Sequence, residues 1–157
     1  MSFAKQLAKH LHEIHFGGNW TESNLTDQLR GTTWKQVTTK VHDLNTIATL
    51  TFHVSYYVTA LLNVLHGKPL DAKDSNSFDH PHIQSQKDWD QLLDKISAEA
   101  KEAVALIEKM DDSKLDETFV DKKYGNYFRN ILGIIEHMHY HLGQIVVIKK
   151  LLFTQEK

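Results

Sequence analysis

The chain has 157 residues, 41% of them hydrophobic and 24% charged, with a formal net charge of -2. That length fits one packed domain spanning residues 1–157 and leaves little room for a second. The near-neutral, interleaved charge gives no long-range pull toward nucleic acid or anionic lipid. The absence of cysteine removes disulfides, thiolate-bound zinc and a cysteine nucleophile.

The N-terminal run Met1 to Leu7 is amphipathic and lacks a signal-peptide block. No apolar stretch in the sequence approaches the roughly 20 residues a membrane span needs. The expectation is a cytoplasmic protein with neither a membrane nor a nucleic-acid partner. Prolines number two, Pro69 and Pro81, both in one short region, which favours long uninterrupted helices elsewhere.

The first predicted helix runs from Ser2, a good N-cap, to Phe16, with Phe3, Leu7, Leu11 and Ile14 at helical spacing and Gly17-Gly18 as its stop. Residues 19–33 read as a turn-like segment, followed by a short helix from Trp34 to Lys40. The second long helix is predicted from an N-cap at Asn45 to His66, with Gly67 ending it. Its apolar stripe is Leu50, Val54, Tyr57, Leu61, Val64 and Leu65. Residues 67–84 hold both prolines and read as the longest irregular connection.

The third long helix starts at Ser85, with Asp88 placed as in a capping box, and the run Asp111-Asp112-Ser113 is expected to end it. Trp89, Leu92, Leu93, Ile96, Ala103, Leu106 and Met110 give it a 3.6-residue period. Asn126 is expected to cap the fourth, which continues to about Phe153 on an apolar face from Ile131 to Leu152. Thr118-Phe119-Val120 can be extended, but no partner strand is evident. Four apolar stripes bury best against one another, so the expected fold is all-α: a four-helix bundle with a long connection between helices two and three.

Eleven histidines raise the question of a metal. His137 and His141 lie four apart and share a helix face. Chance alone yields about 0.7 such pairs at this composition, so spacing by itself decides little. Both flank the core-facing arc, whereas His139 points about 200° away from His137. His53, in the middle of helix two, shares a side with Leu50, Val54 and Tyr57. Three inward imidazoles on two helices can meet in one cavity and leave a coordination position open, which marks reactive rather than purely structural sites. The bland alternative is a set of hydrogen-bonded core histidines. His10, His12 and His15 sit on helix one, where only one or two can face inward. His42 and His66 lie near helix ends, and His80 and His82 lie in the long connection.

The segments Thr51-Phe52-His53-Val54-Ser55-Tyr56-Tyr57 and His137-Met138-His139-Tyr140-His141-Leu142-Gly143-Gln144 resemble the DinB superfamily of four-helix-bundle metalloenzymes, and the similarity covers essentially the whole chain. The resemblance implies His53, His137 and His141 as ligands of one divalent ion, nickel or zinc first, iron or manganese next. It also implies a homodimer, and a small-molecule substrate acted on by thiol-dependent S-transfer, with a low-molecular-weight thiol, or by hydrolysis. The family name refers to damage-inducible expression and carries no implication of DNA binding.

The zincin motif does not apply, because Met138 stands where its glutamate would be and Glu136 points about 100° away. No catalytic acid or base is therefore assigned. Gln144 and Tyr57 are the candidates for support around the metal, one to hydrogen-bond a ligand nitrogen or a bound water, the other to line the cavity with its hydroxyl. The residues leave two classes open: a metal-dependent transferase or hydrolase, and a non-catalytic, stress-related bundle that binds a metal or small ligand. Phe128, Val146 and Val147 exceed what one core contact uses and mark the face expected to pair in a dimer.

Overall fold

The computed structural model describes residues 1–155. The described chain is all-helical: α1 (Phe3–Phe16), α2 (Leu25–Leu29), α3 (Trp34–Thr38), α4 (Ile47–Leu65), α5 (Gln86–Glu108), α6 (Asp112–Leu115) and α7 (Tyr127–Gln155). Two 3-10 turns, Asp74–Phe78 and Lys122–Tyr124, and one isolated bridge between Thr118 and Asn126 complete it.

The four long helices follow the predicted periods, except that Phe3, at the start of the α1 stripe, is exposed. α5 buries Trp89, Leu92, Ile96, Ala100, Ala103 and Ile107, one residue per turn of the same face. α7 buries Ile131, Ile135, Met138, Leu142, Ile145, Ile148 and Leu152 at the same recurrence. α1 packs against α5 and α7, and α4 packs against the same two helices, so each apolar stripe meets two others.

Helix ends show what sequence pattern catches and what it misses. Ser2 caps α1 and Ser85 caps α5 as expected, each accepting a backbone N–H from three residues on. Gly17, at φ +106°, ends α1 where a side chain would be strained. Thr46, rather than Asn45, caps α4 by accepting the Thr49 N–H at 3.1 Å. α5 stops at Glu108, and the Asp111-Asp112-Ser113 run begins α6 instead of closing the preceding helix. Asp111 caps α6, while the Asp112 carboxylate accepts the N–H groups of Phe3 at 3.0 Å and Ala4 at 2.9 Å, capping α1 from across the fold.

The 19–33 segment also differs from expectation. Asn24 caps a short α2 through the Asp27 N–H, and the fully buried Trp89 indole donates to Thr32 Oγ1 at 3.1 Å. Five residues are too few to show a helical period, and tertiary contacts hold them.

α4 and α7 are long and apolar enough, by length and composition, to cross a membrane over Ile47–Leu65 and Tyr127–Phe153. This corrects the expectation that no stretch comes near that length. α4 spends 61% of that span inside the protein, so its apolar content serves the core. Of the three surplus apolar positions expected on α7, Phe128 and Val147 are exposed and Val146 is half-buried.

Candidate metal centre

The seam between α4 and α7 carries the site. His53 projects from the middle of α4, and His137 and His141, one turn apart, project from α7 to meet it. His53 Nε2 and His137 Nε2 are 3.0 Å apart. One ligating nitrogen from each of the three rings lies within 4.8 Å of the others. The rings meet edge-on, with centroids 4.5–4.8 Å apart. They are enclosed: His53 is 4% exposed, His141 9%, and His137 half-buried.

Contacts on the far side of two rings decide which nitrogen faces the shared point. Ser77, fully buried, donates its hydroxyl proton to the Asp74 backbone carbonyl at 2.6 Å. Its oxygen, 2.8 Å from His53 Nδ1, is therefore left to accept, which fixes His53 as the Nδ1–H tautomer. On α7, Gln144 Oε1 lies 2.7 Å from His141 Nδ1 and takes that N–H in the same way. Both rings then present an Nε2 lone pair inward, as a cation requires. With His53 Nε2 unprotonated, the contact at 3.0 Å is a hydrogen bond donated by His137 Nε2–H, and binding a cation would move that proton to Nδ1.

Electrostatics favour the same state. Burial, then the neighbouring imidazoles His141 and His53, push the pKa of His137 down to about 4. Burial and His141 also lower that of His53, with the Asp74 carboxylate opposing. Neutral imidazoles in mutual reach are the donor set that zinc and neighbouring divalent ions accept. Metal–nitrogen bonds of about 2.0–2.1 Å place ligand nitrogens about 3.0–3.4 Å apart, and the closest pair already stands at that spacing. The residues present therefore fit a divalent cation.

The structure brings together the three histidines and both supporting candidates. The Tyr57 ring packs edge-on against His53 and His137, at 5.3 and 4.9 Å, and its hydroxyl donates to Asp74. Met138 is in the core and Glu136 is exposed, so neither joins the site. His139 turns away toward α1, where His10 lies near enough to lower its pKa after burial has done most of that work.

What pattern reading missed is the wall built by the 67–84 connection. Its 3-10 turn supplies Asp74, Ser77 and the Phe78 ring, which stacks on His53 at 4.0 Å. His80 and His82, the residues of that segment weighed for such a role, lie outside it, His80 against Phe52 and His82 exposed.

A cluster of three imidazoles, largely buried between two long helices, defines a helical protein whose residues could hold a metal ion. The family model of the DinB superfamily matches residues 17–145, and the chain belongs to that superfamily. The match spans α2 through most of α7 and includes all three histidines. No match is found among curated proteins or among solved structures.

Proposed function

We propose that this chain is a divalent-metal-dependent enzyme acting on a small molecule, with His53, His137 and His141 as the metal ligands on a four-helix bundle formed by α1, α4, α5 and α7. The observation that carries the reading is the pair of outward hydrogen bonds, Ser77 to His53 and Gln144 to His141, which aim two lone pairs at the point His137 also reaches. A core that merely buried histidines has no need to orient two of them toward one point. The reciprocal packing of the four long helices supports the bundle, with α2, α3 and α6 as parts of its connections.

Three protein ligands leave a coordination position for water or substrate. Bound there, a divalent cation supplies Lewis acidity to a water, a thiol or a carbonyl oxygen. The chain's own residues do the rest. Ser77 and Gln144 hold the imidazoles in register, and Phe78 covers His53 and keeps bulk water off it. Tyr57, its hydroxyl donating to Asp74, offers an oxygen lone pair beside His137. Both hydrolysis and thiol-dependent S-transfer are open to such a site, and the family points to a low-molecular-weight thiol as co-substrate.

The test is turnover of a small electrophile by the zinc- or nickel-loaded chain, with and without a panel of cellular thiols. Thiol-dependent consumption that vanishes in His137→Ala is expected. Turnover without thiol would select hydrolysis. No turnover with any electrophile, by a chain that does hold metal, would contradict the catalytic reading and leave a metal-binding bundle.

A further inference from the structure

One turn from the histidines, the α4/α7 seam opens into a cavity of about 270 Å³. Tyr57 and Leu61 line it from α4, Leu70 and Asp74 from the 67–84 connection, and Asn130 and Ile134 from α7. Tyr57 follows His53 by one turn and Ile134 precedes His137 by one, so the cavity adjoins the imidazole cluster across the Tyr57 ring. Its volume is near the small end of ligand pockets.

Four polar side chains line this cavity: Tyr124, whose hydroxyl can donate or accept, and Tyr57, Asp74 and Asn130, which are left to accept. The Tyr57 proton goes to Asp74. Asn130 spends its amide N–H groups on the Tyr124 carbonyl at 2.9 Å and the Asn126 carbonyl at 2.8 Å. What these three residues still offer is the Asp74 carboxylate, the Tyr57 oxygen and the Asn130 side-chain carbonyl, all acceptors. Asp74 is the one ionised side chain among the lining residues. A ligand that brings an acceptor or an anion would meet oxygen with oxygen. One that brings N–H donors and a positive charge is matched on each of them.

We infer that this cavity holds the non-reacting part of the substrate and selects a small amine, with its apolar body against Leu61, Leu70 and Ile134 and its ammonium group against Asp74 and Asn130. The inference rests on the metalloenzyme reading for the word substrate, but the cavity itself is built by protein alone. Asp74 then has two roles: it accepts the Tyr57 hydroxyl hydrogen bond on one side and steers the cationic head on the other. Its exposed position at the cavity mouth suits the second.

The experiment is an NMR titration of the zinc-loaded full chain with benzylamine and, separately, with benzoate, which has a similar shape and the opposite charge. Benzylamine is expected to bind in the millimolar range or tighter, shifting the Leu61, Leu70 and Ile134 methyl signals, and benzoate to bind far more weakly. Asp74→Asn keeps an acceptor for Tyr57 and removes the charge, and is expected to weaken benzylamine about tenfold or more. Leu70→Trp, which fills the cavity from its connecting segment, should abolish the shifts. Equal binding of the two probes, no binding of benzylamine, or an affinity unmoved by both variants would overturn the inference. Zinc uptake by the wild-type chain is measured alongside. Its failure would sink the metal reading, while the benzylamine titration on metal-free protein would still decide the cavity.

Discussion

Two parts of this protein bury histidine, and they do so to opposite ends. On α1, His15 is 2% exposed, and its Nδ1–H donates to the Leu11 carbonyl of its own helix at 2.8 Å. Its Nε2 is buried and meets no hydrogen-bond partner among the described residues. Burial, above all, pushes its pKa down to about 4. In the α4/α7 seam, burial together with the neighbouring imidazoles lowers the pKa of His137 just as far, yet three rings converge and two have their outer nitrogens held by Ser77 and Gln144. Burial alone makes a neutral imidazole. Convergence, with acceptors placed behind the rings, makes a ligand set.

Removing one ligand is the strongest way to test that contrast. His137→Ala should abolish stoichiometric binding of zinc or nickel, measured by titration against a competing chelator. His139→Ala and His15→Leu should leave it nearly intact, because one ring turns toward α1 and the other lies on α1 among residues of α2 and α5, apart from the three-ring cluster. Equal losses from His137 and His139 would show that the helix phasing is wrong.

Acid sharpens the comparison next. The folded pKa of His15 lies below its ordinary value of 6.5, so the unfolded chain binds the extra proton. The stability that neutral His15 permits is complete above pH 6.5 and is lost as pH falls toward 4, by about 3 kcal/mol. His137 in the metal-free chain loses stability over the same range and in the same direction. Denaturant melts across that window should therefore slope steeply for the wild-type chain and more gently for His15→Leu. Saturating zinc should hold the His137 part of the loss back to lower pH, since metal and proton compete for one lone pair. A slope unchanged by both would remove burial as the cause.

The smaller effect concerns what stands behind the rings. Ser77→Ala frees His53 to adopt either tautomer and should weaken metal affinity about 10–100-fold without abolishing it. Nitrogen NMR shifts of His53 should move from the single Nδ1–H form to a mixture. Affinity loss with the tautomer unchanged would make Ser77 a packing residue only.

The sequence carries the α4/α7 half of the site better than the loop half. Helical phase puts His53 inward on α4 and the His137–His141 pair on one face of α7, and Gln144, three residues beyond His141, follows from the same geometry. Ser77 does not follow from any local pattern. It reaches His53 across 24 residues of chain, from a 3-10 turn too short to show a period. Asp112 capping α1 across more than a hundred residues, and α2 pinned through Thr32 to Trp89, are hidden for the same reason. Long helices announce themselves through repetition, whereas short elements exist because of the surfaces they land on.

The most direct measurement is a crystal structure of the chain grown with zinc or nickel, with anomalous scattering collected at the edge of the added metal. One ion per chain is expected, bonded to Nε2 of His53, His137 and His141, with Ser77 and Gln144 still holding the opposite nitrogens. An ion elsewhere, or none between those three rings at saturating metal, would contradict that assignment.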